Sequence, residues 1–245
     1  MEYKFLISYI LILIALYYSY KEKLGIEKQI IVSTLRAFIQ LLALGYLLVY
    51  IFKIENLVYL LLILLLMVCF AAYTGQNRVK LKENGFITAF VCIFSASFLV
   101  IGTLILFDLI SFKPNEIIPV GGMVIGNSLN IYDLTVDRLK GEIKNNMDLI
   151  ENFISLGATL KQALHSLKKI AVKSALIPTL NILQTVGVIH IPGITTGMLL
   201  AGASPLKAIS YQLIILYMIV AVALFTSLIT VNFAYRYIFI SISKE

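Results

Sequence analysis

Seven long apolar runs constrain this chain more than any other feature of its sequence. They cover about residues 4–20, 30–52, 57–74, 86–107, 117–136, 170–189 and 208–235. About 20 apolar residues in a helix cross the hydrocarbon core of a bilayer. A helix also satisfies its own backbone polar groups there, and these runs are too long and continuous for barrel strands. The sequence therefore predicts an all-α membrane protein with about seven transmembrane helices in a single domain, residues 1–245.

The composition excludes a water-soluble globule. Hydrophobic residues make up 60% of the 245-residue chain and charged residues only 13%, whereas a soluble domain is roughly one-quarter charged. The first apolar run ends in Tyr17, Tyr18, Ser19 and Tyr20, without the small residues of a signal-peptide cleavage site. We therefore expect it to be retained as a span in a multi-pass protein of the plasma or inner membrane.

Basic residues predict the orientation of the spans. The loops after the first, third and fifth spans, together with the C-terminus, carry 15 Lys and Arg residues, and the opposite side carries four. Because Lys and Arg concentrate on the cytoplasmic side of membrane proteins, the N-terminus is predicted outside and the C-terminus inside. This bias also accounts for the net charge of +7, so the sequence gives no reason to expect nucleic-acid binding.

The sequence lacks the patterns of an enzyme. His165 and His190 are too far apart to form a metal-ligand pair by spacing. There is no G-x-x-x-x-G-K-[ST] phosphate loop and no Ser/His/Asp arrangement in a recognisable context. Cys69 and Cys92 lie within apolar runs, which favours small core residues without a disulfide. We expect no catalytic residue, metal centre or cofactor on this chain, so any ATP and Mg²⁺ would be bound by a partner.

The only long hydrophilic segment, about residues 137–169, has helical periodicity on both sides of a glycine. Gly157 permits the backbone angles of a sharp turn, and Thr159 stands three residues before Gln162, the spacing of a capping box. The pattern predicts two short helices with a bend between them. The apolar positions of the two faces are Ile143, Met147, Ile150 and Ile154, then Leu160, Leu164 and Leu167. Two interpretations stay open, a part that docks into a partner and a solvated surface helix pair.

Polar residues inside the spans are candidates for a transport path. Arg36 and Gln40 are four residues apart and so share a face of the second span. An arginine inside a bilayer costs at least a few kcal/mol unless it is paired, faces a wet cavity or snorkels. Both the path and the snorkelling interpretation remain open for Arg36.

The fifth span combines soft or polar groups with residues that change helix geometry. Either a flexible helix lining a path or a close helix–helix contact explains the pattern, and the two are compatible. The polar or soft residues are Glu116, Met123, Asn127, Ser128 and Asn130, and the backbone-special residues are Pro119, Gly121, Gly122 and Gly126.

The segment between the sixth and seventh spans is too short and too interrupted for another span. It predicts a re-entrant or interfacial element, which is tolerated where protein buries its backbone. The interrupting residues are Gly187, Pro192, Gly193, Gly197, Gly202 and Pro205, and the sixth span itself contains Pro178.

Several of these stretches together resemble the FetB family of membrane subunits from iron-linked ATP-binding-cassette (ABC) exporters, whose plant relatives are linked to aluminium tolerance. The similar stretches are I-S-L-G-A-T-L-K-Q-A (154–163), A-L-I-P-T (175–179), T-V-G-V-I-x-I-P-G-x-x-x-G (185–197) and A-G-A-S-P-L-K-A-I-x-x-Q (201–212), with K-E-K-L-G-I-E-K (21–28), R-x-x-x-Q (36–40) and I-P-V-G-G-M-V-I-G-N-S (118–128). They occur in the family's order through nearly the whole chain. The sequence departs from the family pattern at Gln184, where a basic residue is expected, and at Asn181, where some members have an acidic one.

The resemblance implies a role for the hydrophilic segment as a coupling helix that sits in a groove of a separate ABC ATPase. It is similar to the E-A-A-x-x-x-G motif of importer permeases in the spacing of Glu151 and Gly157, but Asn152 and Phe153 replace the two alanines. The docking residues it implies are Glu151, Ser155, Leu156, Gly157, Ala158, Thr159, Lys161 and Gln162.

The resemblance also implies iron export, as part of metal homeostasis, driven by ATP that the partner hydrolyses. Seven spans are few for a path, so we predict a homodimer with two ATPases and the path at its two-fold interface. The candidate path residues are Arg36, Gln40, Glu116, Met123, Asn127 and Gln184. The alternatives are an ABC permease for a lipid, peptide or sugar nucleotide, and a stand-alone channel or membrane scaffold.

Overall fold

The computed structural model describes residues 7–54, 56–189 and 191–243. Helices form almost all of this part of the chain. They are α1 (Tyr9–Lys21), α2 (Glu27–Ile51), α3 (Leu57–Val79), α4 (Gly85–Leu106), α5 (Pro114–Asn145), α6 (Met147–Ser155), α7 (Leu160–Ala163), α8 (His165–Thr185), α9 (Gly193–Leu200), α10 (Pro205–Phe233) and α11 (Tyr235–Ser243). The start of the first predicted span, residues 4–6, and His190 lie outside the described residues.

The described chain forms two compact units, one up to Ile54 and the other from Asn56 onward. The first unit consists of α1 and α2, which pack through an edge-to-face contact between Tyr9 and Phe38, with ring centroids 6.2 Å apart. The Ser19 hydroxyl donates a 2.7 Å hydrogen bond to Glu27 at the start of α2. This bond joins the two helices across the short turn between them.

The seven predicted spans all coincide with helices. Four helices of the described part, α2, α3, α4 and α10, are long and apolar enough to cross a membrane, and α1 is a shorter apolar helix. The all-α prediction is confirmed for these elements. The fifth and sixth runs lie in α5 and α8, which carry more polar residues, so the count of seven spans stays a prediction.

The second unit is arranged around α5, which packs against α3, α4, α8, α10 and α11. At 1.5 Å per residue, its 32 residues make a rod about 48 Å long, well beyond a hydrocarbon core of about 30 Å. The predicted hydrophilic segment therefore begins as a direct extension of the fifth helix.

The prediction of one helical face from Ile143 to Ile154 was wrong. The helix breaks at Asn146, whose side-chain amide donates a 2.8 Å hydrogen bond to the Glu142 carbonyl and so competes with the next helical turn. Ile143 therefore belongs to α5, and Ile150 belongs to α6. Both are fully buried, whereas Ile154 is 41% exposed.

Two kinds of packing hold the long helices together. One end of the bundle has an apolar core from α4, α5 and α10 that includes Val100, Val124 and Val222. Farther along the same helices, Ser128 accepts hydrogen bonds from Ser97 at 3.3 Å and from Thr226 at 3.2 Å. All three hydroxyl groups belong to buried side chains, so they satisfy one another between three helices where lipid offers no partner.

Gly121 and Gly122 mark a close approach between α5 and α3. A Cβ at Gly121 would clash with Leu64 of α3 and one at Gly122 would lie 3.2 Å from Met67 of the same helix, whereas one at Gly126 would meet nothing within 4 Å. The helix–helix contact expected for the fifth span is therefore present at Gly121 and Gly122, and a role for Gly126 stays a prediction. Both α5 and α8 continue as helices through their internal prolines, Pro119 and Pro178.

The interrupted segment before α10 contains only the short helix α9 among its described residues, in agreement with the prediction that it is too interrupted for another span. Pro192 is the N-cap of α9 and Pro205 is the first residue of α10, where a missing N–H costs no helical hydrogen bond. Gly187 and Gly202 adopt positive φ angles of 81° and 86°. The eight residues of α9, which include Gly193 and Gly197, are too few to cross a bilayer.

Gly75→Ala should destabilise the packing of α3 on α5. Its new Cβ would lie 3.1 Å from Leu129 and 3.3 Å from both Asp133 and Tyr132, and such overpacking costs about 1–3 kcal/mol. Thermal unfolding followed by far-ultraviolet circular dichroism would measure the change. Gly102→Ala in α4 is the matched control, because its Cβ meets nothing within 4 Å, and an equal melting temperature for both variants would contradict the prediction.

Candidate functional site

The bent segment, residues 147–163, lies between the end of α5 and the start of α8. Its first helix, α6, ends in a Schellman motif around Gly157. The Gly157 amide donates to the Ile154 carbonyl and the Ala158 amide to the Phe153 carbonyl, each at 2.9 Å. Gly157 has φ +92°, which costs a residue with a Cβ about 1–2 kcal/mol. The predicted turn at Gly157 is confirmed.

The predicted capping box at the start of α7 is also confirmed. The Thr159 amide donates a 2.8 Å hydrogen bond to the Gln162 side-chain oxygen, and the Gln162 amide donates to the Thr159 hydroxyl at 3.4 Å. These reciprocal bonds satisfy two amides that the helix itself leaves unpaired. The bend is therefore closed by backbone bonds on its first side and by side chains on its second.

The inner side of the bent segment is anchored in the bundle. Ile150 of α6 and Leu164, just after α7, are fully buried, as is Ile143 at the end of α5. Their elements contact one another in sequence, α5 with α6, α6 with α7, and α7 with α8. Each such side chain contributes about 1.5–3 kcal/mol by its burial, so the segment is tied to α5 and α8.

The outer side of the bent segment presents an apolar stripe. Leu149, Phe153 and Leu156 follow one another at i, i+4 and i+7, hence on one helix face, and they are 46%, 42% and 86% exposed. Most residues predicted to dock on a partner lie beside this stripe. Glu151, Ser155, Gly157, Thr159, Lys161 and Gln162 are exposed, and Ala158 is half-buried. The stripe itself was missed, except for Leu156, because spacing alone does not tell which of two apolar faces is buried.

The candidate path residues lie on three helices. Glu116, Met123 and Asn127 share one face of α5, where the Glu116 carboxylate accepts hydrogen bonds from the amide and the hydroxyl of Ser111 at 2.8 and 2.9 Å. Arg36 and Gln40 are exposed on α2, and Gln184 is exposed on α8. Within the described residues, no hydrogen bond joins Gln184 to the three side chains of α5.

A second polar region, which the sequence analysis did not identify, lies between α3 and α5. Arg78 and Asp133 form an ion pair of 2.9 Å, with 56% and 18% of their side chains exposed. The Lys140 ammonium group donates a 2.8 Å hydrogen bond to the Val79 carbonyl at the end of α3. Such contacts between residues 55 and 61 positions apart leave no local spacing signal, so they could not be found by pattern.

Next to this ion pair the bundle encloses polar groups with few protein partners. Tyr132 and Thr88 are fully buried, and neither hydroxyl group makes a hydrogen bond within the described part of the chain. The Cys92 thiol, also fully buried, lies beside the Thr230 hydroxyl. These buried polar groups lie between α4, α5 and α10, beside the Arg78–Asp133 pair.

A third polar pair lines a cavity of about 320 Å³ at the other end of the bundle. The Thr195 hydroxyl of α9 donates a 3.3 Å hydrogen bond to the Gln212 side-chain oxygen of α10, and both side chains are buried. Gly187, Pro192 and Pro205 also line this cavity. The bond ties the interrupted segment to α10.

The chain resembles known families over nearly its whole length. Residues 3–239 match the model of the family described as "Uncharacterised protein family (UPF0014)". The chain is 36% identical over 231 residues to the "Probable iron export permease protein FetB" of Escherichia coli, with 94% of this chain and 89% of that protein covered.

Two further relatives extend the comparison to other organisms. The "UPF0014 membrane protein YjkA" of Bacillus subtilis is 37% identical, with 95% of this chain and 93% of that protein covered. The "Protein ALUMINUM SENSITIVE 3" of Arabidopsis thaliana is 35% identical, with 89% and 80% covered. No solved structure shows a significant match. These similarities and the apolar helices identify a multi-pass membrane protein.

Gly157→Ala should loosen the bent segment without unfolding the bundle. Alanine at φ +92° is strained by about 1–2 kcal/mol, although its Cβ meets nothing within 4 Å. Amide hydrogen exchange in residues 153–163 should become faster by about five- to thirtyfold. Gly141→Ala is the control, because that glycine lies inside α5 with open space around it. Unchanged exchange in Gly157→Ala would show that the turn does not depend on glycine.

Proposed function

Because this chain belongs to the UPF0014 family, we propose that it is the permease subunit of an ABC-type exporter, which moves iron or a related metal with ATP hydrolysed by a separate ATPase subunit. The Escherichia coli relative is named a probable iron export permease protein, and this name supports the permease role and the substrate. In this proposal the chain carries no ATPase activity of its own, and ATP and Mg²⁺ are bound by the partner.

The observation that carries the proposal is the two-sided character of the bent segment. Its inner side is buried through Ile150 and Leu164, while its outer side exposes Leu149, Phe153 and Leu156. A solvated surface loop would not need an apolar outer stripe, whereas a helix that docks in a groove of another protein does. A stand-alone channel has no need of this stripe, so an interpretation in which the segment docks on a partner is favoured.

The contacts of α5 support a route for mechanical coupling. Closure of two ATPases on ATP would push on the bent segment, and α5 would carry the displacement because it is one helix of 32 residues. The Arg78–Asp133 ion pair and the Lys140–Val79 hydrogen bond tie this helix to the end of α3. A displacement of α5 would therefore move α3 as well.

The proposed assembly is a homodimer with two ATPases, with the bent segment in the cytoplasm, the N-terminus outside and the C-terminus inside. The basic residues of the loops support this orientation. Glu116, Met123 and Asn127, the candidate path residues of α5, lie along one helix face, and the path would form where this face meets the second copy. Gln184 on α8, and Arg36 and Gln40 on α2, are the other candidate path residues of the proposal.

The oxygen and nitrogen groups of these candidates suit a weak site for hard iron ions. Among the described residues, no group of three or more His, Cys, Asp or Glu side chains could hold a metal ion. An exporter needs to release its substrate, so a weak site is compatible with export. A chelate, a lipid, a peptide or a sugar nucleotide remains the alternative substrate class for the same machinery.

Leu156→Ser should weaken association with the ATPase by about ten- to a hundredfold, because exposed apolar anchors dominate such interfaces at about 1–3 kcal/mol each. Pull-down of the cognate ATPase in detergent would measure it. Leu200→Ser is the matched control, since Leu156 and Leu200 are both 86% exposed and each stands next to a Schellman turn. If both variants bind the ATPase like the native chain, the docking assignment is wrong.

Reconstitution of the ATPase in lipid, with and without this chain, tests coupling and substrate separately. We expect ATP hydrolysis that depends on this chain and rises as iron is added. Hydrolysis that depends on the chain but ignores iron would keep the transporter and remove iron as its substrate. Hydrolysis that is the same without the chain would contradict the role of the bent segment.

A further inference from the structure

A basic cavity of about 390 Å³ lies where α8 emerges from its apolar run. Its basic side chains are spaced along α7 and α8 at i, i+4, i+8 and i+12, with one more on the neighbouring row. They are Lys161, His165, Lys169 and Lys173, together with Lys168. Among the residues that the structure describes, no acidic residue lines the cavity. Another polar cavity, by contrast, has Asp137 and Glu142 among its lysines and arginine and so neutralises much of its own charge.

Lys168 is the unusual member of this set, because only 6% of it is exposed. Its ammonium group donates one hydrogen bond, of 3.2 Å, to the Asn232 side-chain oxygen and lies 4.5 Å from the centre of the Tyr235 ring. Asn232 is itself held in place, since its amide group donates to the Leu228 carbonyl at 2.9 Å. The structure thus positions a buried cation that faces no carboxylate within 4 Å in the described residues.

The surroundings of the Lys168 ammonium group favour a bound anion. Burial lowers the pKa of Lys168, and the nearby Lys161 ammonium lowers it further, while Tyr235 opposes the shift. A buried charge is stabilised when it is paired and hydrogen-bonded. Neutral partners and an aromatic ring supply only part of that pairing, and a phosphate with several acceptor oxygens would supply the rest.

The apolar side chains that line part of the cavity, called its floor, indicate which class of anion fits it. Val172, Leu228 and Val231 line it beside the lysines, so a charged rim meets an apolar surface within one cavity. This combination fits an amphiphile, whereas a free anion would gain nothing from the floor. The cavity also lies next to residue 170, where the sixth predicted span begins, and the predicted spans would place it at the depth of a lipid headgroup. Basic pockets between membrane helices bind such headgroups.

From this geometry we propose that the α7–α8 cavity binds the phosphate headgroup of an anionic phospholipid, with the lysines on the phosphate and Val172, Leu228 and Val231 on the start of the acyl chains. Lys168 contacts the lipid from the inner end of the cavity, and Lys161, Lys169 and Lys173 surround it at the rim. Since α7 belongs to the bent segment, a bound lipid would also brace that segment against α10.

The test uses the full chain alone, purified in detergent, so that its outcome is independent of iron and of any ATPase. Phosphatidylglycerol and phosphatidylcholine are titrated separately, with retained lipid counted by native mass spectrometry and unfolding followed by circular dichroism. We expect phosphatidylglycerol to be retained and to raise the melting temperature, and phosphatidylcholine to do neither. Equal retention of the two lipids would overturn the proposal.

Two triple variants and one single variant locate the site. The triple variant K161Q/K169Q/K173Q removes three exposed charges and should weaken phosphatidylglycerol binding about a hundredfold, at about fivefold per lysine. The triple variant K21Q/K28Q/K82Q removes three other exposed charges and should bind like the native chain. Lys168→Met, checked for folding by circular dichroism, should lose the lipid-dependent rise in melting temperature. Equal losses in both triple variants would mean that only net charge matters and would contradict the site.

Two further measurements distinguish lipid binding from binding of free phosphate and from docking of the ATPase. Inorganic phosphate should not displace phosphatidylglycerol at concentrations comparable to the lipid, because it lacks contact with the apolar floor. Displacement at such concentrations would assign the cavity to a free phosphate instead. If K161Q/K169Q/K173Q retains the lipid but no longer binds the ATPase, the cluster is a protein-docking surface and the lipid proposal is wrong.

Discussion

The second unit depends on α5 remaining one helix from Pro114 to Asn145. Its backbone hydrogen bonds are satisfied internally along about 48 Å, which lets it leave the apolar bundle and continue among charged residues without a break. Five other helices, α3, α4, α8, α10 and α11, pack against it, and the bent segment follows its C-terminal end. A break within α5 would separate the membrane helices from the segment that we propose as the ATPase contact.

Polar side chains join neighbouring helices of this bundle to one another, because lipid offers no hydrogen-bond partner. The Ser97, Ser128 and Thr226 hydroxyls satisfy one another at the centre, and the Thr195–Gln212 bond fixes α9 on α10. Toward the bent segment the contacts become ionic, as in the Arg78–Asp133 pair. This gradient from hydroxyls to ions follows the increase in water access along the helices. It also places the charge-bearing contacts beside the proposed coupling route.

Local signals in the sequence were sufficient for the helices and for the bend. Each of the seven apolar runs coincides with a helix, Gly157 marked the positive-φ turn, and the Thr159–Gln162 spacing marked the cap. These features depend on residues within one or two turns of one another, so a pattern records them. The end of the helix at Asn146 was not predicted, because it depends on one side chain competing for the Glu142 carbonyl. The glycines of the fifth span did not reveal that α3 is the neighbouring helix, because spacing along one helix does not identify its neighbour.

What the sequence determined by itself is the class of protein, an all-helical membrane chain with a bent polar segment, since hydrophobic run length and turn chemistry are local properties. Only the tertiary structure decided which side of that segment is buried, through Ile150 and Leu164, and which is offered outward, through Leu149 and Phe153. It also brought Lys168 to Asn232, 64 positions away, and so made a buried cation out of an ordinary surface-type lysine. The physical reason is that burial and charge pairing are set by contacts between distant helices, and no spacing along the chain encodes them.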